Sequence, residues 1–243
     1  MSRRAAWFLG LAIAFAALAV RLGFWQLDRL AERRGLNDRL YARFAAPPVA
    51  LDALPADTAE ARYRRVVLAG TYDVAHEVAL VSRTRNGSPG VNLVTPLRRP
   101  GTDTAVLVNR GWVYAQDAKT VADAARWREP GDTARGEAFV DVYPAGLAGA
   151  AWLPADPATI RRLEPTALRD RFPYPIADYY LVLQPSDADT TTRRDSTPAR
   201  LTLPPMSEGP HQSYAIQWFS FATVAVVGAL LYARADRRRQ EAA

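Results

Sequence analysis

Cysteine is absent from the 243-residue chain. No disulfide braces it, and neither CxxC redox chemistry nor a copper–thiolate centre can be built from it. Met206 is the one methionine after the initiator, so thioether ligands for a copper carrier are missing as well. Histidine occurs twice, at His76 and His211, far apart in sequence. No GxSxG elbow, HExxH helix or glycine-rich phosphate loop is present. No spacing pairs a serine or an aspartate with a histidine base, and an enzyme is not expected. Lysine is reduced to Lys119, a bias to which no function attaches.

Charge is missing from two long stretches. Residues 5–20 (AAWFLGLAIAFAALAV) carry none, and after Arg21 the apolar character resumes to Leu27; residues 214–233 (YAIQWFSFATVAVVGALLYA) carry none either. Each run reaches the roughly 20 residues that a helix needs to cross a bilayer. The basic excess sits beside these runs: outside 28–213, seven arginines face Asp236 and Glu241, which accounts for +5 of the net +6. Charge that flanks membrane segments argues for the lipid bilayer as partner and against nucleic acid. The positive-inside tendency places both termini in the cytoplasm and the central block outside it. Ala17-Leu18-Ala19 could also end a cleaved signal peptide. An uncleaved anchor is preferred, because the apolar run continues through Leu22, Phe24 and Leu27 while Arg21 snorkels outward.

These runs divide the chain into transmembrane helix 1 (5–27), a helical extension (28–46) ended by Pro47 and Pro48, an extracytoplasmic domain (47–209), transmembrane helix 2 (210–233) and a basic cytoplasmic tail (234–243). The expected fold is a membrane α-helical hairpin carrying a mostly antiparallel β (α+β) domain. Within that domain YRRVVLAGTYD, VAHEVALVS, GVNLVTPLR, AVLVNRGWVY, RGEAFVDVY and DYYLVLQ read as strands, with a turn at RNGSPG. Residues 115–128 are alanine-rich at helical spacing and predict a helix. Residues 144–175 predict loops with short helices such as PATIRRLEP, and 186–199 an exposed polar loop. His76 reads as a solvated strand residue. Arg110 beside Trp112 reads either as a stacking, carboxylate-pairing site or as a brace of the sheet.

His211 falls in the first turn of the last helix, after Gly209-Pro210, with proline fitting the first helical position. At 100° per residue His211, Tyr214, Trp218, Ala222, Ala225 and Ala229 share one side. A neutral imidazole there could ligate a haem iron, or bond headgroups or the preceding loop above an ordinary aromatic belt.

Several short motifs recur together: Gly23-Phe24-Trp25-Gln26-Leu27 with Arg29, Tyr63-Arg64-Arg65-Val66 with Gly70, Pro89-Gly90, Thr95-Pro96-Leu97, Val108-Asn109-Arg110-Gly111-Trp112-Val113, and His211 with Tyr214-Ala215-Ile216-Gln217-Trp218-Phe219. In this order and between two spans they resemble the Surfeit locus protein 1 family of cytochrome c oxidase assembly factors. The resemblance implies haem a as cargo and the catalytic subunit of a haem-copper oxidase as partner, with the haem a synthase as a second one. It implies His211 as iron ligand; Trp25, Tyr214 and Trp218 flank the ring in this reading, and Arg29, Arg64 and Arg110 are the candidates for the propionates. Gly209-Pro210 and Gln212 depart from the pattern expected around the histidine. The alternative is a cofactor-free scaffold that holds an oxidase subunit during assembly. A bacterial inner membrane is expected, because little chain precedes the first span.

Overall fold

The computed structural model describes residues 2–144, 152–153, 156–186 and 197–242. It comprises two compact units, one of Met1–Arg39 with Pro205–Ala243 and one of Leu40–Pro204.

The first unit is a pair of long helices. Helix α1 runs without interruption from Arg3–Ala45, so the expected span and its extension are one rod, about 65 Å long at 1.5 Å per residue. It stops where Pro47 disfavours a helical residue before it. The last helix, α4, covers His211–Glu241 and closes with Arg238 and Arg239 in its final turn, where cations favour the helix dipole. Both helices are long and apolar enough to cross a membrane. Trp7 is 74% exposed, Leu11 66% and Val224 70%, an outward apolar face that water does not favour.

The two helices meet along a seam at 3,4 spacing. Ala16, Ala19, Gly23, Gln26 and Leu30 are buried on α1, and Ala215, Ala222 and Ala229 on α4. Phe8 against Tyr232 and Phe24 against Phe219 show that the helices run antiparallel. Small side chains let the backbones approach. At Gly23 a Cβ would stand 2.6 Å from the Phe219 ring. Gly23→Leu is therefore expected to cost roughly 1–3 kcal/mol of helix pairing by overpacking. Because the chain has no cysteine, thiol crosslinking between cysteines introduced at Ala19 and Ala222 reads the effect: the yield should fall with Gly23→Leu and recover when Phe219→Ala is added. An unchanged yield in the single variant would refute the tight seam.

The second unit is a mixed sheet. Its described strands are β1 (Val49–Ala50), β2 (Arg65–Val67), β3 (Gly70–Tyr72), β4 (Val78–Arg85), β5 (Ser88–Arg98), β6 (Ala105–Tyr114), β7 (Thr133–Ala134), β8 (Glu137–Val142), β9 (Trp152–Leu153), β10 (Asp156–Ile160) and β11 (Ile176–Leu183), with short helices α2 (Thr58–Ala61) and α3 (Pro165–Arg169). The order is β1-β2-β8-β11-β6-β5-β4-β10-β9, and β3 bridges β5 and β7. Strands β5 and β6 are buried on both faces. Alternation sends Val106 and Val108 to one core with Val66, Val140 and Leu181, and Leu107 to another with Val94, Ile160 and Phe172. The β4–β5 turn puts Asn86 and Gly87 at positive φ, the geometry of a two-residue hairpin loop.

Several expectations are corrected here. The sheet is mostly antiparallel as expected, and its departure is three parallel pairings among the described strands, β1–β2, β4–β10 and β6–β11, which make it mixed. Residues 115–128 are not a helix: the Asp117 carboxylate takes the amides of Lys119 and Thr120, Ala118 and Asp123 are left-handed, and only a 3₁₀ turn remains at Ala124–Trp127. The PATI of the expected helix is strand β10, and helix begins at Pro165. The first β-rich run breaks into β2 and β3, and His76 lies in a 3₁₀ turn, Val74–His76, not in a strand. Within the expected loop at 186–199, residues 187–196 lie outside the described residues.

Candidate functional site

His211 is the first residue of α4. Pro210 precedes it as the cap, one position earlier than the sequence suggests, and its carbonyl accepts the Tyr214 amide at 3.1 Å. The segment leading in is tied to α1, since Asn37 Nδ2 donates to the carbonyls of Met206 and Ser207 at 3.3 and 3.4 Å, and Arg34 pairs with Glu208 at 2.9 Å. His211 thus starts its helix at a defined height on α1. There its Nδ1 stands 2.9 Å from Gln26 Oε1. Nε2 makes no hydrogen bond among the described residues. Gly209 lies against that edge of the ring, where a Cβ would come within 3.2 Å of Cδ2 and Nε2.

The seam sorts the surrounding side chains. The Phe24–Phe219 contact marks one flank of the helix pair. At 100° per residue Trp25 and Arg29 on α1, and Tyr214 and Phe221 on α4, fall on the other. Trp25 is 46% exposed and Tyr214 44%. The Arg29 guanidinium sits 5.7 Å over the Trp25 ring and also pairs with Glu32 at 2.7 Å. Trp218 is half-buried, packed on Ala16, Ala19 and Ala222 and edge-on to Phe221. An unpartnered imidazole nitrogen, a flank of open aromatic rings and an exposed arginine form a donor set that fits a flat iron macrocycle with acidic substituents.

Arg64 and Arg110 belong to the other unit. Arg64 is half-buried, and its side chain makes no hydrogen bond or ion pair among the described residues. Arg110 is 0% exposed. A bulge that sets Asn109 and Gly111 against adjacent residues of β5 makes Arg110 the extra residue. Its guanidinium pairs with Glu77 at 2.8 Å, donates to the Trp127 carbonyl and lies 5.0 Å over Tyr72. Glu77 also accepts from Thr95 Oγ1, and Arg200 bridges the Arg110 carbonyl and Glu129. Burial pushes the Tyr72 hydroxyl up to about 12, against the pull of the two arginines. Contrary to the expectation of a propionate partner, Arg110 is an interior brace, its fully buried guanidinium taken up by Glu77.

His76 is held by Asp73, whose Oδ2 lies 2.8 Å from Nδ1 and also accepts the Tyr174 hydroxyl at 2.7 Å. Burial raises the Asp73 pKa, but the two hydrogen bonds and the His76 charge outweigh it and hold the carboxyl below its usual value. A depressed folded-state pKa stabilises the fold above the unfolded value of about 3.9 and loses that contribution as pH falls through the folded one. Tyr174→Phe should move the Asp73 titration upward in a carboxyl NMR experiment, so that acid stability is lost at higher pH. An unmoved midpoint would show that the hydroxyl plays no part.

The SURF1 family model matches residues 13–223. The chain belongs to the SURF1 family. A SURF1-like protein of Rickettsia felis is 25% identical over 91% of this chain and 94% of its own length. Surfeit locus protein 1 of Takifugu rubripes is 30% identical over 44% of this chain, a match spanning half of that protein. The cytochrome oxidase assembly protein SHY1 of Saccharomyces cerevisiae is 32% identical over 43% of this chain and 28% of its own length. For this SURF1 family member the side chain missed by sequence reasoning is Gln26. The signal was a lone amide in the apolar run LGFWQL, spaced three residues from Gly23 and four from Leu30 along the buried seam.

Proposed function

We propose that this SURF1 family member is a membrane assembly factor for cytochrome c oxidase that holds haem a on its helix pair and hands it to the catalytic subunit. The observation that carries the reading is His211 itself, fixed at the start of α4 with Nδ1 engaged by Gln26 and Nε2 unpartnered. Bound there, haem a would supply an iron that takes an imidazole ligand. Trp25 and Tyr214 offer faces for the ring, Trp218 closes the seam below, and Arg29 is the candidate for a propionate. The protein itself performs no bond-making chemistry in this reading: it binds, orients and releases.

The apolar outer faces and the flanking arginines support both helices as spans of a bacterial inner membrane, with termini in the cytoplasm and the sheet domain outside. Oxidase catalytic subunit, haem a synthase and lipid bilayer are then the partners. The name of the yeast relative and the family model support the assembly role. The test is an absorption spectrum of the full chain purified from membranes of a haem-a-producing host. A stoichiometric haem a signal is expected. Intact protein without haem, from membranes rich in haem a, would overturn the cargo reading in favour of a cofactor-free scaffold.

A further inference from the structure

We infer that Gln26 is the positioning residue of the haem site: its side-chain oxygen holds His211 in the Nδ1–H tautomer and leaves the lone pair on Nε2. The inference rests on the haem reading of His211 given above and adds a residue and a role to it.

Gln26 is 8% exposed and occupies a seam position between Gly23 and Leu30, where every neighbouring seam residue toward the helix start is small or apolar. A buried primary amide in such surroundings is costly unless it is hydrogen-bonded. Its Oε1 meets His211 Nδ1 at 2.9 Å, 185 residues away in the chain. A carbonyl-type oxygen only accepts, so the proton of the neutral imidazole must sit on Nδ1. The remaining nitrogen, Nε2, then carries the lone pair and has no partner among the described residues. Metal-binding histidines are oriented in this way by an acceptor on the second ring nitrogen. Where that acceptor is a carboxylate, the ring gains donor strength; an amide oxygen, being neutral, gives the same orientation with less. A weaker ligand suits a protein whose task ends in release.

Three alleles test this in the full chain in detergent: wild type, Gln26→Leu, which keeps the volume and removes the acceptor, and Gln26→Glu, which restores an acceptor that carries charge. The first readout needs no haem. With two histidines in the chain, ¹⁵N NMR resolves the His211 tautomer at a pH where the ring is neutral, with a His76→Asn background for assignment. Wild type is expected as Nδ1–H and Gln26→Leu as a mixture of both forms. The second readout is haem a itself. Gln26→Leu should bind roughly 10–100-fold more weakly, while Gln26→Glu binds at least as tightly as wild type, releases haem to apomyoglobin more slowly and lowers the reduction potential. A wild-type tautomer protonated on Nε2, or a Gln26→Glu protein as weak as Gln26→Leu, overturns the inference. If instead His211→Ala keeps its haem while the tautomer result stands, the haem reading fails and the Gln26–His211 coupling survives as a structural one.

Discussion

Replacing His211 with alanine is expected to abolish haem a in the purified protein while the helix pair and the sheet domain remain folded. Alanine is the best helix former, and the cap at Pro210 together with the Asn37 and Arg34 ties to residues 206–208 does not involve the imidazole. The seam below, built on Ala16, Ala19 and Ala222, is likewise untouched. The loss should exceed the roughly 10–100-fold that follows from disturbing a ligand's supporting partner, because the ligand itself is gone. His76→Ala serves as the control, since His76 is engaged by Asp73 in the other unit, and its spectrum should match wild type. Added imidazole should restore part of the signal in His211→Ala, the vacated space lying beside the same Gln26 oxygen. A His211→Ala protein with an undiminished spectrum would place the iron ligand elsewhere.

Glu77→Ala is expected to destabilise the sheet domain by about 3–5 kcal/mol, the cost of taking from a buried guanidinium the nearer of its two carboxylates, Glu77 at 2.8 Å, and leaving Glu129 at 4.0 Å. That is a large share of the 5–15 kcal/mol or so that holds a domain folded. At roughly 2–4 °C per kcal/mol for a domain of this size, the melting temperature should fall on the order of 10 °C. Arg110 is fully buried and Glu77 nearly so, their separation is 2.8 Å, and Glu77 also satisfies Thr95. Arg110→Leu combined with Glu77→Leu should cost less than the two single changes summed, because the pair is removed together. It should not be neutral, because the Trp127 carbonyl then loses its donor. Thermal unfolding of the full chain in detergent, followed by near-UV circular dichroism, separates these cases. A loss under about 1 kcal/mol in Glu77→Ala would mean that water or Glu129, already 4.0 Å away, takes over the guanidinium.

The hairpin strands were legible because their signals are local. Ala105–Tyr114 is found with the boundaries expected, and Ser88–Arg98 within two residues, each marked by alternation and a flanking turn. Residues 115–128 misled for a reason equally local: alanine at helical spacing satisfies a helix, but Asp117 captures two backbone amides at the start. Val121 and Trp127 then pack against the core of Val91 and Val113 instead of following a helix face. The stretch before Pro165 misled because strand β10 owes its conformation to parallel pairing with β4, a partner some 80 residues away that no short window contains. Arg110 kept its motif neighbours and changed its meaning, since a single bulged position in β6 turned it inward.

By itself the sequence determined two apolar runs of bilayer length, the arginines that flank them, the strand-rich block between them, and a histidine at the threshold of the last helix. These are properties of composition and period, carried by residues that are neighbours in the chain. Only the tertiary structure decided that Gln26 meets His211, that Arg110 is neutralised inside the sheet, and that β6 pairs in parallel with β11. Each of these joins residues far apart in sequence, and what selects the partner is the burial of a polar group that must find its complement, a condition that exists only once the chain has packed.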